Sequence, residues 1–183
     1  WAFGLFGLGS MLAAFILPIV LEKLNDRSVM LTGTAILVAG LFCGYLISSY
    51  RGLLVLWFIL GTGYSVSQTP TGRLIRKSAS SENRTSLFAA QFAFSHACWL
   101  ITYPLVGWLS TNVGTLFTFV PMAIIALIAM SFAFFIWPKQ DDLILVHSHD
   151  DLPADHEHLV NHKHGKRHEH EYVIDEYHQK WPK

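Results

Sequence analysis

Nine histidines lie between positions 147 and 178 of this 183-residue sequence, and eight of them form pairs of the type His-x-His. The paired residues are His147 and His149, His156 and His158, His162 and His164, and His168 and His170. In an extended segment the side chains at i and i+2 point the same way, so two imidazoles can bind one ion. Imidazole suits nickel, cobalt, zinc and copper. The pairs therefore predict a segment that binds a divalent transition metal, as His-rich composition alone suggests.

Two other interpretations of these histidines stay open. They could belong to a solvated segment in which they do nothing specific, or they could form a charge cluster that responds to pH. Acidic residues are interleaved with the pairs, and the segment lacks the apolar periodicity of a packed domain. We therefore expect residues 139–183 to be largely disordered in the absence of metal, except for a short ordered piece at 172–177.

A further histidine, His96, lies in a long run without charged residues. At 100° per residue, Gln91, Ser95, His96 and Tyr103 fall within one polar sector of a helix. An ionisable residue inside a membrane helix is a functional candidate, and a neutral imidazole can coordinate a metal or accept a proton. We predict that this sector lines a substrate path, with Gln68 as a second polar position beside it. The alternative is that His96 only hydrogen-bonds a neighbouring helix.

The rest of the sequence has the composition of a membrane protein. It is 52% hydrophobic and 14% charged, against about 25% charged residues in soluble domains. Charge-free runs of about 20 residues, the length that spans a bilayer, follow one another up to position 138. They predict an all-α membrane protein with about five transmembrane helices, near 1–21, 28–49, 53–76, 85–109 and 114–137. Residues 1–138 would form the transmembrane domain and residues 139–183 a His-rich tail.

The basic residues predict the orientation of these helices. The loop at 22–27 contains Lys23 and Arg27, and the loop at 73–84 contains four further cations, whereas the alternate loops contain only Arg51. Basic loops stay in the cytoplasm, so both of these loops and the tail are expected there. The sequence opens at Trp1 without a basic region before its first apolar run, which argues against a signal peptide and favours a chain entered partway.

The segment Leu21-Glu-Lys-Leu-Asn-Asp-Arg27 resembles a degenerate form of the loop motif of the major facilitator superfamily, although the leading glycine and the closing Gly-Arg-Arg of that motif are absent. Asp26 and Arg27 match its Asp-Arg pair, and the resemblance implies that they form a gating loop. Gly61, Gly63 and Pro70, followed by a basic loop, resemble the tenth helix of such transporters. Residues 87–108 are similar to a bacterial branch with His-rich cytoplasmic tails, some of whose members are associated with nickel or cobalt resistance.

The resemblance implies helices eight to twelve of a secondary transporter, with the N-terminal part of the same transporter as the missing partner. It implies a multi-pass protein of the bacterial inner membrane that exports nickel or cobalt in exchange for protons. We expect no enzymatic activity and no required cofactor; nickel, cobalt or zinc could be substrate or tail ligand. The expected partners are the lipid bilayer and a small ion or small-molecule substrate, and no nucleic acid.

Two rival functions stay open. One is the export of an organic solute or drug, with a tail that only senses metal or pH, because the helices contain no carboxylate that would ligate a cation. The other is a membrane-anchored metal store that transports nothing.

Overall fold

The computed structural model describes residues 1–138, 144–148, 153, 159, 167–172, 174 and 178. This part of the chain contains five α-helices and two short β-strands. The elements are α1 (Ala2–Leu21), α2 (Asp26–Leu46), α3 (Tyr50–Ser78), α4 (Arg84–Asn112), α5 (Thr115–Ile136), β1 (Ile144–Ser148) and β2 (Arg167–Glu171). Each predicted helix is present within a few residues of its predicted bounds, and the all-α membrane fold is confirmed.

Polar residues in the loops mark where the helices begin. The Asn25 side chain accepts a hydrogen bond from the Ser28 backbone N–H, and Ser49 caps α3 through the Gly52 N–H in the same way. Such caps satisfy backbone donors that have no partner within the helix. Between α4 and α5 the chain reverses at Gly114, whose φ of 110° favours glycine. The predicted turn at 110–114 is therefore shorter than expected, because α4 continues to Asn112.

Four of the five helices in the described part, α1, α2, α4 and α5, have the length and hydropathy of membrane-spanning segments. Helix α3 has 29 residues, about 43 Å of rise, so it has the length as well. Its second half carries polar residues such as Ser65, Ser67 and Gln68, followed by basic residues, and these lower its hydropathy. The buried residues of α3 include both serines, which indicates that its polar side faces other helices.

Glycines let three of these helices approach closely. Helix α3 packs against both α1 and α2, α2 also packs against α5, and α4 lies mainly on α5. A Cβ atom on Gly61 would meet the backbone carbonyl of Phe6 in α1, and one on Gly9 would meet that of Phe58 in α3. Close backbone approach at small residues is the usual basis of helix association in membranes.

The tail contains strands that the sequence did not predict. Strands β1 and β2 pair in antiparallel register, with His147 opposite His168. Strand β2 contains only polar residues, so it carries no apolar alternation from which a strand could be recognised. Strand β1 begins with the apolar run Ile144-Leu145-Val146, which is too short for periodicity to distinguish a strand from a helix.

Replacing Gly61 by alanine should destabilise the packing of α1 on α3 by about 1–3 kcal/mol, because the added methyl group meets backbone that cannot move aside. Gly72→Ala, in the same helix, is the matched control, since nothing lies within 4 Å of its Cβ position. Thermal unfolding in detergent would measure both variants. Equal melting temperatures for the two would contradict the close approach of α1 and α3.

Candidate functional site

Asp26 is a buried carboxylate at the start of α2, with 2% of its surface exposed. Its Oδ2 atom lies 3.6 Å from the Lys77 ammonium and 3.7 Å from Arg73 Nε, both on α3. Within the described residues its Oδ1 atom accepts no hydrogen bond. A buried carboxylate is costly unless it is paired with a cation, so Asp26 holds α2 in register with the end of α3.

Arg27, the neighbouring residue, is 8% exposed and forms hydrogen bonds with the end of α5. Its guanidinium donates from Nη2 to the Phe134 carbonyl at 2.7 Å and from Nε to the Trp137 carbonyl at 3.2 Å. The same group lies 5.1 Å from the centre of the Phe134 ring. The last carbonyls of a helix lack partners and form the negative end of its dipole, so Arg27 caps α5 both by hydrogen bonding and by charge.

These contacts join four helices at one end of the molecule. Arg73 also donates from Nη1 to the Leu21 carbonyl at the end of α1, at 3.1 Å. We call this the basic end, defined by residues 22–27 and 73–84. The Asp-Arg pair predicted as a gating loop therefore connects α2 with α3 and α5, while Arg73 adds α1. A rigid-body movement at this end has to change several of these contacts together.

Three of the predicted path residues lie in an open groove between α3 and α4. The groove has a volume of about 640 Å³, and Gln68, Gln91 and Ser95 line it together with Thr71, Cys98 and apolar side chains. Its polar groups are amides, hydroxyls and a thiol, and none of its lining residues is charged. The groove can therefore hydrogen-bond a solute, but it offers a hard cation no carboxylate.

His96 is not among the residues that line this groove; it lies in a row of aromatic rings on α4. Its ring centre is 3.7 Å from that of Phe92 and 4.6 Å from that of Trp99. Its Nδ1 atom is 2.8 Å from the Phe92 carbonyl, which can only accept, so in the neutral ring Nδ1 carries the proton. The Nε2 lone pair is then left to accept a proton or bind a metal.

Tyr103 extends the same row of rings, stacking on Trp99 at 6.1 Å. It lines a second groove, formed with Leu41 of α2 and residues of α5. The five residues that the sequence assigned to one substrate path therefore lie in three places. Helical periodicity predicted which residues share a stripe on α4, but the packing of α3 and α5 determines which of them face a groove.

In the tail, the described histidines cluster around His147. Its ring centre lies 4.7 Å from those of His168 and of His178, and the Nε2 atoms of His147 and His178 are 2.9 Å apart. Both partners are 2% exposed. His147 Nδ1 lies 2.9 Å from the Leu145 carbonyl and so carries the proton of the neutral ring, which makes His147 Nε2 the acceptor and His178 Nε2 the donor.

Over the described residues, no group of three or more His, Cys, Asp or Glu side chains is placed to hold a metal ion. Of the eight histidines predicted as ligands, side chains are described only for His147 and His168. His170 is described as part of β2 without its side chain, and the predicted ligands His149, His156, His158, His162 and His164 lie outside the described residues. The metal prediction therefore stays a prediction.

Sequence reasoning did not single out several residues of these clusters. The sequence pattern indicates Arg73 and Lys77 only as basic residues that set the orientation, yet both pair with Asp26. Their i, i+4 spacing on one helix face was a usable signal. His178 lies outside the His-x-His pairs, so no spacing rule pointed to its contact with His147.

Asp26→Asn should lower the stability of the helical domain by about 3 kcal/mol, because it leaves Arg73 and Lys77 without the carboxylate between them. Glu22→Gln removes a charge from an exposed position in the adjoining loop and serves as the control. Thermal unfolding of both variants in detergent would measure the difference. If the two variants behaved alike, the buried pairing of Asp26 would have no energetic role.

Comparison with known proteins agrees with this architecture. The family model of the Major Facilitator Superfamily matches residues 1–160, which include all five helices and the Asp26–Arg27 junction. No curated protein and no solved structure matches the sequence significantly. The chain belongs to the Major Facilitator Superfamily of secondary transporters and is a multi-pass membrane protein.

Proposed function

We propose that the chain is the C-terminal portion of a transporter that exports a divalent transition metal, nickel or cobalt first, from the cytoplasm in exchange for protons. The observation that carries the proposal is the imidazole cluster of His147, His168 and His178, in which two Nε2 atoms approach to 2.9 Å. Such spacing is close to that of two ligands on one ion. The sequence resemblance to a branch linked to nickel or cobalt resistance supports the same substrate.

In this proposal the tail acts before transport. Its histidines hold ions beside the basic end, which raises their effective concentration at the entrance of an inward-open cavity. Rocking of one half of the transporter against the other then carries the ion across the membrane. His96, with a lone pair on Nε2, serves as the proton acceptor of the exchange cycle. No covalent step is needed, so the protein is not an enzyme.

The proposal includes an orientation of the helices in the membrane. Lys23, Arg27, Arg73 and Lys77 are all close to the basic end, and short basic loops are retained on the cytoplasmic side. The hydrogen bond from Ile174 of the tail to Lys77 at this end supports a position of both on the same side of the membrane. We therefore assign the basic end and the tail to the cytoplasmic face of a bacterial inner membrane.

A second candidate is the export of an organic solute, with a tail that senses metal or pH. The groove between α3 and α4 favours it, because amides, hydroxyls and apolar side chains line the groove without any charged residue. Its volume of about 640 Å³ lies in the range of small-molecule sites. Metal ions would then be signals read by the tail and not the cargo.

Replacing His147 and His168 by glutamine in the full-length transporter should raise cellular nickel and lower nickel tolerance, because two imidazoles of the cluster are lost. His96→Gln should act in the same direction by removing the proton acceptor. Growth in graded nickel and metal content by elemental analysis would measure both effects.

The matched control for the tail variant is Ser148→Ala with Glu169→Gln, which changes exposed neighbours on the same two strands. This control should keep the tolerance of the parent transporter. Unchanged tolerance and metal content in all three variants would contradict metal export and leave the organic-solute candidate.

A further inference from the structure

The tail is fastened to the basic end by a backbone hydrogen bond. The Ile174 N–H donates to the Lys77 carbonyl at 2.9 Å. Lys77 lies in the last turn of α3, where carbonyls have no partner within the helix, so Ile174 caps this end. Ile174 itself is 7% exposed, and Ala79 just beyond α3 is fully buried. The contact joins the tail to the residue whose ammonium pairs with Asp26.

Four residues beyond Ile174, His178 reaches back to β1. Its contact with His147 joins two positions that are 31 residues apart in the sequence, and the Tyr172 ring packs at 5.0 Å from His147 and 4.7 Å from His178. The same short segment therefore bonds α3 at Ile174 and β1 at His178. Whatever holds His178 in place also restricts where Ile174 can move.

We propose that His147 and His178 form a metal clasp, a two-imidazole site for a divalent transition metal that locks the tail onto the end of α3. Two imidazole nitrogens bound to one ion, each about 2.1 Å from it, lie about 3.0 to 3.4 Å apart. The observed Nε2–Nε2 distance of 2.9 Å needs only a small opening to admit the ion. Water fills the remaining coordination positions.

Replacing the hydrogen bond between His147 and His178 by a metal ion requires no further reactant. Before binding, the His178 Nε2–H donates to the His147 Nε2 lone pair. The incoming ion takes both lone pairs, and the His178 proton moves to its Nδ1 as the ring changes tautomer. No net proton is released, and the shared hydrogen bond is replaced by two metal–nitrogen bonds.

The clasp deepens the proposed function and rests on it for the identity of the ion. Metal binding orders segments that supply its ligands, so the bound ion favours the tail conformation in which Ile174 caps α3. By linkage, docking of Ile174 must raise metal affinity by the same factor as metal strengthens docking. A metal bound in the tail thereby acts on Lys77 and, through it, on the pairing of Asp26 with Arg73 and Lys77. These contacts at the basic end have to change during transport.

The test uses the full-length transporter in which the six tail histidines outside the cluster of His147, His168 and His178, at 149, 156, 158, 162, 164 and 170, are replaced by glutamine. Nickel titration measures affinity, and hydrogen exchange measures protection of the Ile174 amide with and without nickel. We expect nickel to protect this amide, and His178→Gln to weaken binding at least tenfold and abolish the protection. Ser148→Ala, on β1 beside His147, should change neither quantity.

A second pair of variants tests the reciprocal coupling. Ile174→Pro removes the N–H that bonds Lys77, whereas Ile174→Val keeps it, so nickel affinity should fall several-fold only in the proline variant. Nickel binding without a change at the Ile174 amide would overturn the clasp while leaving metal export standing. Absence of nickel binding in this background would also overturn it, and nickel flux in the parent transporter would then decide the export proposal separately.

Discussion

A carboxylate with 2% of its surface exposed has to be compensated by charge, and Asp26 meets this requirement with Arg73 and Lys77 of α3. Because Asp26 begins α2 and both cations lie within two turns of the end of α3, the pairing fixes how far these helices slide along each other. Arg27, one residue later, extends the constraint to α5, and Arg73 extends it to α1. The basic end is therefore one electrostatic unit, and the arrangement of the helices depends on it.

The helices could be predicted from the sequence because charge-free runs of membrane-spanning length need no knowledge of their neighbours. The family motif drew attention to Asp26 and Arg27, yet the acceptors of Arg27 lie more than 100 residues away at Phe134 and Trp137. No local pattern contains that information. The division of the α4 polar residues between grooves likewise depends on where α3 and α5 pack. Periodicity gives the face of a helix but not its partner.

The contacts within the tail could not be predicted from the sequence for a different reason. Strand β2 contains only polar residues, and the contacts of His147 with His168 and His178 join positions 21 and 31 residues apart. Composition predicted a metal-binding segment, whereas the pairing that brings its imidazoles together depends on backbone hydrogen bonds that any sequence can make. Both the tail and the Asp26 junction meet at Lys77, through its carbonyl and its ammonium respectively. Lys77 therefore takes part both in the contact of the tail and in the contacts between the helices, and a metal bound in the tail, as proposed, would act on the helices through this residue.

Nickel flux through the purified full-length transporter in sealed vesicles tests the central claim most directly. A proton gradient is imposed, and nickel and proton movements are recorded together with an entrapped metal dye and a pH dye. The account predicts saturable nickel transport against the proton flow, lost when the gradient is dissipated. No nickel flux above that of protein-free vesicles, together with proton-driven movement of an organic solute, would contradict it.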